Sequence, residues 1–449
     1  MAGKGINIPR SFTMRLPMAD RSEGIYIFDE NGKRYIDGCS GALISSIGHS
    51  VLEVVEAVCM QMRTLSFAHP SRWRNRATEE AAEAVGRIAP GDMKFVWFVS
   101  GGSEAVESAI KLVRQYFVER DGESSAKHLI VGRWNSYHGA TLGTIAVGGN
   151  VSRRRVFTPM FMEHPKIPPH YCYRCPYGKT YPGCGLPCAH ELERVLDREG
   201  AENVAAFIAE PIVGSTVGAL APPDEYWPIV REICDRRDIL LVADEIMTGI
   251  GRTGKAFCVD HWGVVPDIIT SAKGLAAGYA PTGAMIVREP IIEAVKRGSG
   301  SLINGYTYNA NPVSCAAVAA VLGYIEKHGL IENARVQGEL LERSLAELSD
   351  NPVVGEIRGK GLMRGIELVA DKKSRTPFEP GAKAAGVMAR ECMERGLVIY
   401  PSGGMVDGVS GDNFLVAPPL VANADQVREI AAILAESLDA ASKILLGED

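Results

Sequence analysis

Three features are missing from this sequence, and each absence argues against one class of protein. Lysine and arginine number 48 against 54 aspartates and glutamates, so the basic excess that binds polyanions through counterion release is missing. No apolar run approaches the roughly 18 residues that cross a bilayer, and no secretory apolar stretch follows the N-terminal residues 1–5. We therefore expect a cytoplasmic protein with no nucleic acid and no membrane among its partners.

Cysteine is present ten times, and four of these residues are closely spaced. The cytoplasm keeps thiols reduced, so a disulfide framework is not expected. Cys172, Cys175, Cys184 and Cys188 follow the pattern C-x2-C-x8-C-x3-C, which resembles the spacing of zinc ligands. The alternative is that they are reduced packing cysteines. We assign no metal to the chain and keep a structural zinc at these four residues as the competing interpretation.

Short apolar runs alternate with amphipathic stretches along most of the chain. This pattern is typical of an α/β protein in which helices cover both faces of a mostly parallel sheet. The runs that predict strands are residues 95–99, 129–131, 205–208, 239–242, 268–269 and 284–287.

The pattern also suggests three parts in the 449-residue chain. Residues 1–50 contain a predicted hairpin around Asn31-Gly32 and are expected to pack on the C-terminal domain. Residues 51–325 form the large α/β domain. Residues 326–449, with helical stretches around a strand-like segment at 361–369, form a smaller α+β domain.

A glycine-rich turn follows the first strand of the large domain. Ser100-Gly101-Gly102-Ser103-Glu104 leads from that strand into a helix, so unpaired backbone N–H groups and the helix dipole face whatever lies at the turn. This arrangement predicts a phosphate cradle, although such a turn is often only a turn.

Two further strands deliver chemically active side chains. Asp244 and Glu245 end the apolar strand at 239–242, at the sheet edge where ligands of α/β proteins bind. Lys273 follows the next strand and enters a loop of small residues, where partial desolvation would lower its pKa and make it a nucleophile toward an aldehyde. Separately, these residues could be caps or surface charges. Together with the cradle they are the groups that a pyridoxal-phosphate enzyme supplies.

The sequence resembles the class III (omega) aminotransferases of pyridoxal-phosphate fold type I over nearly its whole length. The most specific part runs from Ala243 to Gly254 and is followed by Lys273, 29 positions after Asp244. The resemblance implies a large domain with a mostly parallel sheet wrapped by helices, and a smaller α+β domain. It also implies a homodimer or a dimer of dimers.

What the resemblance implies for the site can be stated residue by residue. Lys273 would bind the cofactor aldehyde and then shuttle a proton, and Asp244 would pair with the pyridine nitrogen. The other cofactor residues would be Gly101, Gly102 and Ser103 at the phosphate, Tyr137 on the ring face, Glu210 in the polar network, and Thr307 at the phosphate of the neighbouring subunit. His138, beside Tyr137, is interpreted as structural.

The substrate pocket departs from better-known family members. Leu415 stands where some branches have the arginine that binds a substrate carboxylate, and Leu43 stands where some amine transaminases have tryptophan. Arg72 lies in a region that approaches the pocket in relatives, but it could equally be a solvated surface residue. Met247 replaces a glutamine near the cofactor.

These observations predict an aminotransferase that moves an amino group from an ω-amino acid or another primary amine to a 2-oxo acid, with pyruvate as the expected acceptor, by ping-pong half-reactions. The alternatives are a racemase or epimerase of the same fold, and a 3-aminoacyl-thioester transaminase. The sequence does not identify the amine donor.

Overall fold

The computed structural model describes residues 7–447. Its N-terminal part forms β1 (Ala19–Glu23), β2 (Tyr26–Asp29), β3 (Arg34–Asp37) and the one-turn α1 (Ser40–Leu43). Strands β2 and β3 pair antiparallel, which confirms the predicted hairpin.

A seven-stranded sheet forms the centre of the molecule. Its strands are β4 (Met93–Val99), β5 (Leu129–Arg133), β6 (Lys166–Ile167), β7 (Val204–Ala209), β8 (Leu240–Asp244), β9 (Ile268–Ala272) and β10 (Gly283–Arg288). They lie in the order β4-β10-β9-β8-β7-β5-β6. The neighbouring strands β6, β5, β7, β8 and β9 are all parallel. Strand β10 is antiparallel to both of its neighbours, β9 and β4. The α/β fold with a mostly parallel sheet is thereby confirmed.

Helices cover the central sheet because its strands are apolar on both faces, as in β7, where every residue is buried. The longest of these helices is α4, which buries Ala109, Leu112, Val113 and Phe117 against the sheet. The helices of this region are α2 (Leu52–Thr64), α3 (Arg76–Ile88), α4 (Gly102–Asp121), α5 (Leu142–Val147), α6 (Val151–Arg154), α7 (Pro187–Glu199), α8 (Tyr226–Arg236), α9 (Glu289–Arg297) and α10 (Pro312–Lys327).

The C-terminal part combines helices with a second, antiparallel sheet. Its elements are α11 (Leu330–Ala346), β11 (Val354–Lys360), β12 (Met363–Leu368), α12 (Ala384–Glu394), β13 (Leu397–Val398), β14 (Tyr400–Gly403), β15 (Asp412–Val416) and α13 (Ala424–Leu446). The antiparallel sheet has the order β11-β12-β15-β14. Strand β13 instead pairs in parallel with β3, so the N-terminal hairpin contacts this part of the chain. The three-part division at residues 50 and 325 stays a prediction.

Short 3-10 turns lie at Thr158–Met160, Cys258–His261, Lys273–Leu275, Glu347–Asp350 and Pro380–Ala382. Within residues 7–447, no helix is long and apolar enough to cross a membrane.

Candidate active site

A cavity of about 500 Å³ opens at the sheet edge where the parallel strands β8 and β9 end. Ligands of open α/β sheets bind at this edge. Strand β10 runs in the opposite direction, so Pro281 and Thr282, which precede it, reach the same cavity. The residues that line it are Ile44, Ser100, Gly101, Gly102, Ser103, Tyr137, His138, Gly139, Glu210, Asp244, Ile246, Met247, Ala272, Lys273, Gly278, Ala280, Pro281 and Thr282.

The turn between β4 and α4 forms one end of this cavity through Gly101, Gly102 and Ser103. The first N–H groups of a helix have no partner within it and lie at the positive end of its dipole. A Cβ at Gly102 would lie 2.8 Å from Cδ1 of Ile246, so an added methyl group would displace the end of that side chain. Ser103 Oγ accepts a hydrogen bond from the N–H of Ala140 (3.0 Å) and keeps its own proton to donate. This end is suited to an anion such as phosphate.

Asp244 ends β8, and hydrogen bonds fix its carboxylate on both oxygens. A carboxylate only accepts, so Nδ1 of the His138 ring is the donor to Oδ2, at 2.7 Å. The N–H of Ile246 donates to Oδ1 at 3.2 Å. Both side chains are buried. A buried, oriented carboxylate of this kind can stabilise a proton on a ring nitrogen of a ligand.

Lys273 follows β9 directly and has a left-handed φ of 46°, a conformation that is uncommon outside glycine and is often found at functional sites. Loss of hydration in the cavity lowers the pKa of its ammonium group to about 8. The carboxylates of Asp244 and Glu210 oppose this shift, and the guanidinium of Arg153 adds to it. A substantial fraction of Lys273 is therefore neutral near pH 8 and can attack a carbonyl carbon.

Glu210, which follows β7, connects the cavity wall to buried groups behind it. Its Oε1 accepts a hydrogen bond from the N–H of Tyr137 at 3.3 Å, and its Oε2 lies 3.8 Å from Nη2 of Arg133. Burial raises the pKa of Glu210, the neighbouring His138 and Arg133 lower it, and Asp244 raises it again. Burial is the largest of these effects.

The residues of this wall fit pyridoxal phosphate. They offer an anion site, a buried carboxylate and a nucleophilic lysine, which match the phosphate, the pyridine nitrogen and the aldehyde. Two buried polar atoms, Nε2 of His138 and Oε2 of Glu210, have no hydrogen-bond partner within residues 7–447. Buried polar atoms are nearly always paired, so these two favour a polar ligand in the cavity.

Two of the expected substrate-pocket residues lie outside the cavity. Leu43 and Leu415 are 2% and 0% exposed and belong to one apolar cluster with Ile212 and Met363. Leu415 is on β15, between β12 and β14, where its side chain is covered by protein. Ile44 lines the cavity wall instead, and the expected role of Leu43 and Leu415 in the substrate pocket stays a prediction.

Arg72 and Thr307 also do not line the cavity within the described part of the chain. Arg72 is exposed, and its guanidinium donates to the carbonyl of the adjacent Ser71 at 3.4 Å. Thr307 is exposed on the segment before α10. Its expected role in a neighbouring subunit's site stays a prediction.

The four-cysteine segment lies apart from the cavity. Cys172 is exposed, Cys175 and Cys184 are half-buried, and Cys188 is buried in α7. All four thiols are free. Among the residues described, no group of three or more His, Cys, Asp or Glu side chains is arranged to hold a metal ion, so the zinc alternative gains no support.

Sequence reasoning missed part of the site. His138, interpreted as structural, instead contacts the Asp244 carboxylate. Its position directly after Tyr137 was the available signal, but the sequence did not show which way the ring faces. Glu104, whose Oε2 accepts a hydrogen bond from the Ser100 N–H at 2.8 Å and so fixes the glycine-rich turn, was also missed.

Comparison with known proteins agrees with this geometry. Residues 8–438 match the family model of class III aminotransferases. The chain is 39% identical over 430 residues to the aminotransferase YodT of Bacillus subtilis, covering 96% of each chain. It is 35% identical over 437 residues to the putrescine–pyruvate aminotransferase of Pseudomonas aeruginosa, covering 95% of this chain and 91% of the relative.

Solved structures give the same result. A four-fold mutant of the thermostable omega transaminase from Pseudomonas jessenii superposes with a TM-score of 0.92 at 31% identity, covering 98% of both chains. With a family model that spans almost the whole chain and a cavity that fits the cofactor, this protein belongs to the class III aminotransferases, which are pyridoxal-phosphate enzymes of fold type I.

Proposed function

We propose that this aminotransferase takes the amino group of an ω-amino acid or another primary amine and transfers it to a 2-oxo acid, with pyruvate as the acceptor, by a ping-pong mechanism. The observation that carries the proposal is Lys273 in a cavity beside Asp244 and Glu210, with its pKa lowered to about 8. The similarity to an enzyme named putrescine–pyruvate aminotransferase supports both the donor class and the acceptor.

The turn at Gly101, Gly102 and Ser103 would hold the cofactor phosphate, since it presents the N-terminus of α4 to the cavity. Asp244 would hold the pyridine nitrogen, and Tyr137, which lines the cavity, would contact the ring. When bound, pyridoxal phosphate supplies an electrophilic carbonyl carbon and a ring that withdraws electrons from the substrate.

The protein's own groups then orient charge and move protons. His138 fixes the Asp244 carboxylate through the 2.7 Å hydrogen bond, so that the carboxylate can stabilise a proton on the ring nitrogen. Lys273 Nζ, neutral near pH 8, would take a proton from the amine-bearing carbon of the substrate and deliver it to the aldehyde carbon of the cofactor, not back to the carbon it left. Glu210 supports the backbone of Tyr137 from behind.

The apolar residues that line the cavity also indicate the class of amine donor. Ile44, Ile246, Met247, Ala280 and Pro281 give part of the cavity lining an apolar surface. Such a surface accepts the hydrocarbon part of an amine and provides no partner for an α-carboxylate. This composition favours donors that are recognised mainly through the amine and the carbon chain.

We propose further that the enzyme is a homodimer, alone or as a dimer of dimers, with Thr307 of one subunit at the phosphate of the other. Thr307 lies on a surface that exposes large apolar side chains. Ile303 is 77% exposed and Tyr308 is 61% exposed, and Phe67 packs edge-on against Tyr308 with ring centroids 6.0 Å apart. Exposed apolar patches of this kind are typical of protein interfaces.

We propose the cytoplasm as the compartment of this enzyme. The ten cysteines of the described chain are all free, which suits a reducing environment.

The test is a panel of primary amines incubated with the purified holoenzyme and pyruvate, with alanine as the measured product. Lys273→Ala should lose the visible absorbance of the bound cofactor and at least about 10³-fold in rate. Lys373→Ala, which removes an exposed lysine far along the chain, is the matched control and should keep both.

A racemase would invert a single amine enantiomer without any acceptor, so the same enzyme is also incubated without pyruvate. Inversion without alanine formation in the paired reaction would overturn the proposed function. Activity retained by Lys273→Ala would remove Lys273 from its role.

A further inference from the structure

A 2-oxo acid acceptor brings a carboxylate into the cavity, and a cation is needed to bind it. The positions that supply this cation in some relatives do not supply it here, since Leu415 is buried in an apolar cluster. Arg72 is exposed and outside the cavity. The need for this cation rests on the proposed function, because the 2-oxo acid acceptor is part of that proposal.

Arg153, in the short helix α6, lies beside the cavity. Its guanidinium carbon is 4.9 Å from the centre of the Tyr137 ring, within the range of a cation–π contact. Arg153 also lines a narrow groove together with Tyr137, His138 and Gly139. Those three residues belong to the wall of the main cavity as well, so the groove and the cavity adjoin.

The charge of Arg153 reaches the reacting lysine. It is the cation that contributes to the lowered pKa of Lys273, alongside the larger effect of lost hydration. A guanidinium over the ring of Tyr137, which itself lines the cavity, can also attract the anionic end of a small acceptor.

Three other arginines of this part of the chain are already paired with protein groups. Arg133 donates to the Glu210 carbonyl, and Arg154 pairs with Glu163 at 2.9 Å. Arg174 pairs with Glu367 at 2.6 Å. Within residues 7–447, Arg153 forms no ion pair with a carboxylate, and its side chain is exposed.

We propose that Arg153 binds the carboxylate of the acceptor 2-oxo acid and so determines the specificity of the second half-reaction. A guanidinium presents parallel N–H donors that match the two oxygens of a carboxylate. When a donor without a carboxylate occupies the cavity, Arg153 stays over the Tyr137 ring and interacts little with the donor. One pocket thereby accepts an apolar amine and an anionic oxo acid in turn.

The test measures the two half-reactions separately by the visible absorbance of the holoenzyme. Arg153→Met should raise the KM for pyruvate about 10- to 100-fold, the loss expected for a charged hydrogen-bonded pair. The rate of Arg153→Met with an amine donor that has no carboxylate should stay within about threefold of the wild-type rate. Its KM for the methyl ester of pyruvate, which has no carboxylate, should also stay within about threefold. Arg153→Lys should restore part of the pyruvate affinity.

Arg155→Met is the matched control, because Arg155 is an exposed arginine two positions away that does not line the cavity or the groove. An unchanged KM for pyruvate in Arg153→Met would overturn the inference, and so would an equal loss with pyruvate and its methyl ester. If the wild-type enzyme forms no alanine with any amine, the proposed function itself fails. If the wild-type enzyme forms alanine and Arg153→Met has the same KM for pyruvate, only the role of Arg153 fails.

Discussion

The imidazole Nδ1 of His138 lies 2.7 Å from Oδ2 of Asp244, and both side chains are buried in the wall of the cavity. This contact joins the loop after β5 to the end of β8, so that two chain segments more than a hundred residues apart fix one carboxylate. The position of that carboxylate determines whether it can stabilise a ring proton.

Removing this contact should affect turnover more than cofactor retention. We expect His138→Leu to keep its visible cofactor absorbance and to lose about 10- to 100-fold in kcat, the usual value of a buried hydrogen bond to a charged group. His138→Asn can still donate to the carboxylate and should recover part of the rate. If both variants lose the same activity, the hydrogen bond is not the reason for it.

Asp244→Asn should separate binding from chemistry. An amide cannot stabilise a proton on the pyridine nitrogen as a carboxylate does, so kcat should fall about 10²- to 10⁴-fold. Lys273 and the phosphate turn remain, and cofactor absorbance should persist after gel filtration. Wild-type turnover in this variant would show that Asp244 has another role.

The lowered pKa of Lys273 predicts a pH dependence for capture of the cofactor by the cofactor-free enzyme. The neutral amine is the nucleophile, so the capture rate should rise with pH up to about 8 and level off above it. An unperturbed lysine would place this inflection near about 10.4. Stopped-flow absorbance measures the rate, and an inflection above pH 10 would contradict the shift.

The same titration can be repeated in Asp244→Asn as a second check on its cause. The Asp244 carboxylate raises the Lys273 pKa against the effect of burial. Its removal should therefore move the inflection to lower pH. A shift to higher pH would show that the two groups do not interact as described.

Gly102→Ala should weaken cofactor binding, because the new Cβ would lie 2.8 Å from Cδ1 of Ile246. We expect the Kd of the cofactor to rise about tenfold, and Gly102→Ala combined with Ile246→Val, which removes Cδ1, should regain part of the loss. Gly86→Ala in α3 is the control, since no atom lies within 4 Å of its added Cβ. Equal effects at both glycines would point to a general loss of stability.

The four-cysteine segment should contain no structural metal. We expect less than about a tenth of an equivalent of zinc per subunit in purified protein, measured by mass spectrometry of metals. Chelation should leave the Tm unchanged. A full equivalent of zinc, together with a lower Tm after chelation, would restore the metal interpretation for Cys172, Cys175, Cys184 and Cys188.

The sequence by itself determined the parts of this enzyme that depend on local order along the chain. The strand, the glycine turn and the helix at residues 95–117 follow one another, and Asp244 and Lys273 each come at the end of an apolar strand. Neighbouring parallel strands end at the same edge of a sheet. Asp244 and Lys273 therefore lie at one edge because each follows an apolar strand of the same parallel pair.

The tertiary structure decided which side chains around that edge face the cavity. Leu43 and Leu415 turn into a shared apolar cluster, whereas Ile44 lines the wall. His138 reaches Asp244, and Arg153 lies over Tyr137. These orientations arise from how loops distant in sequence pack against each other, and no local pattern of residues encodes them.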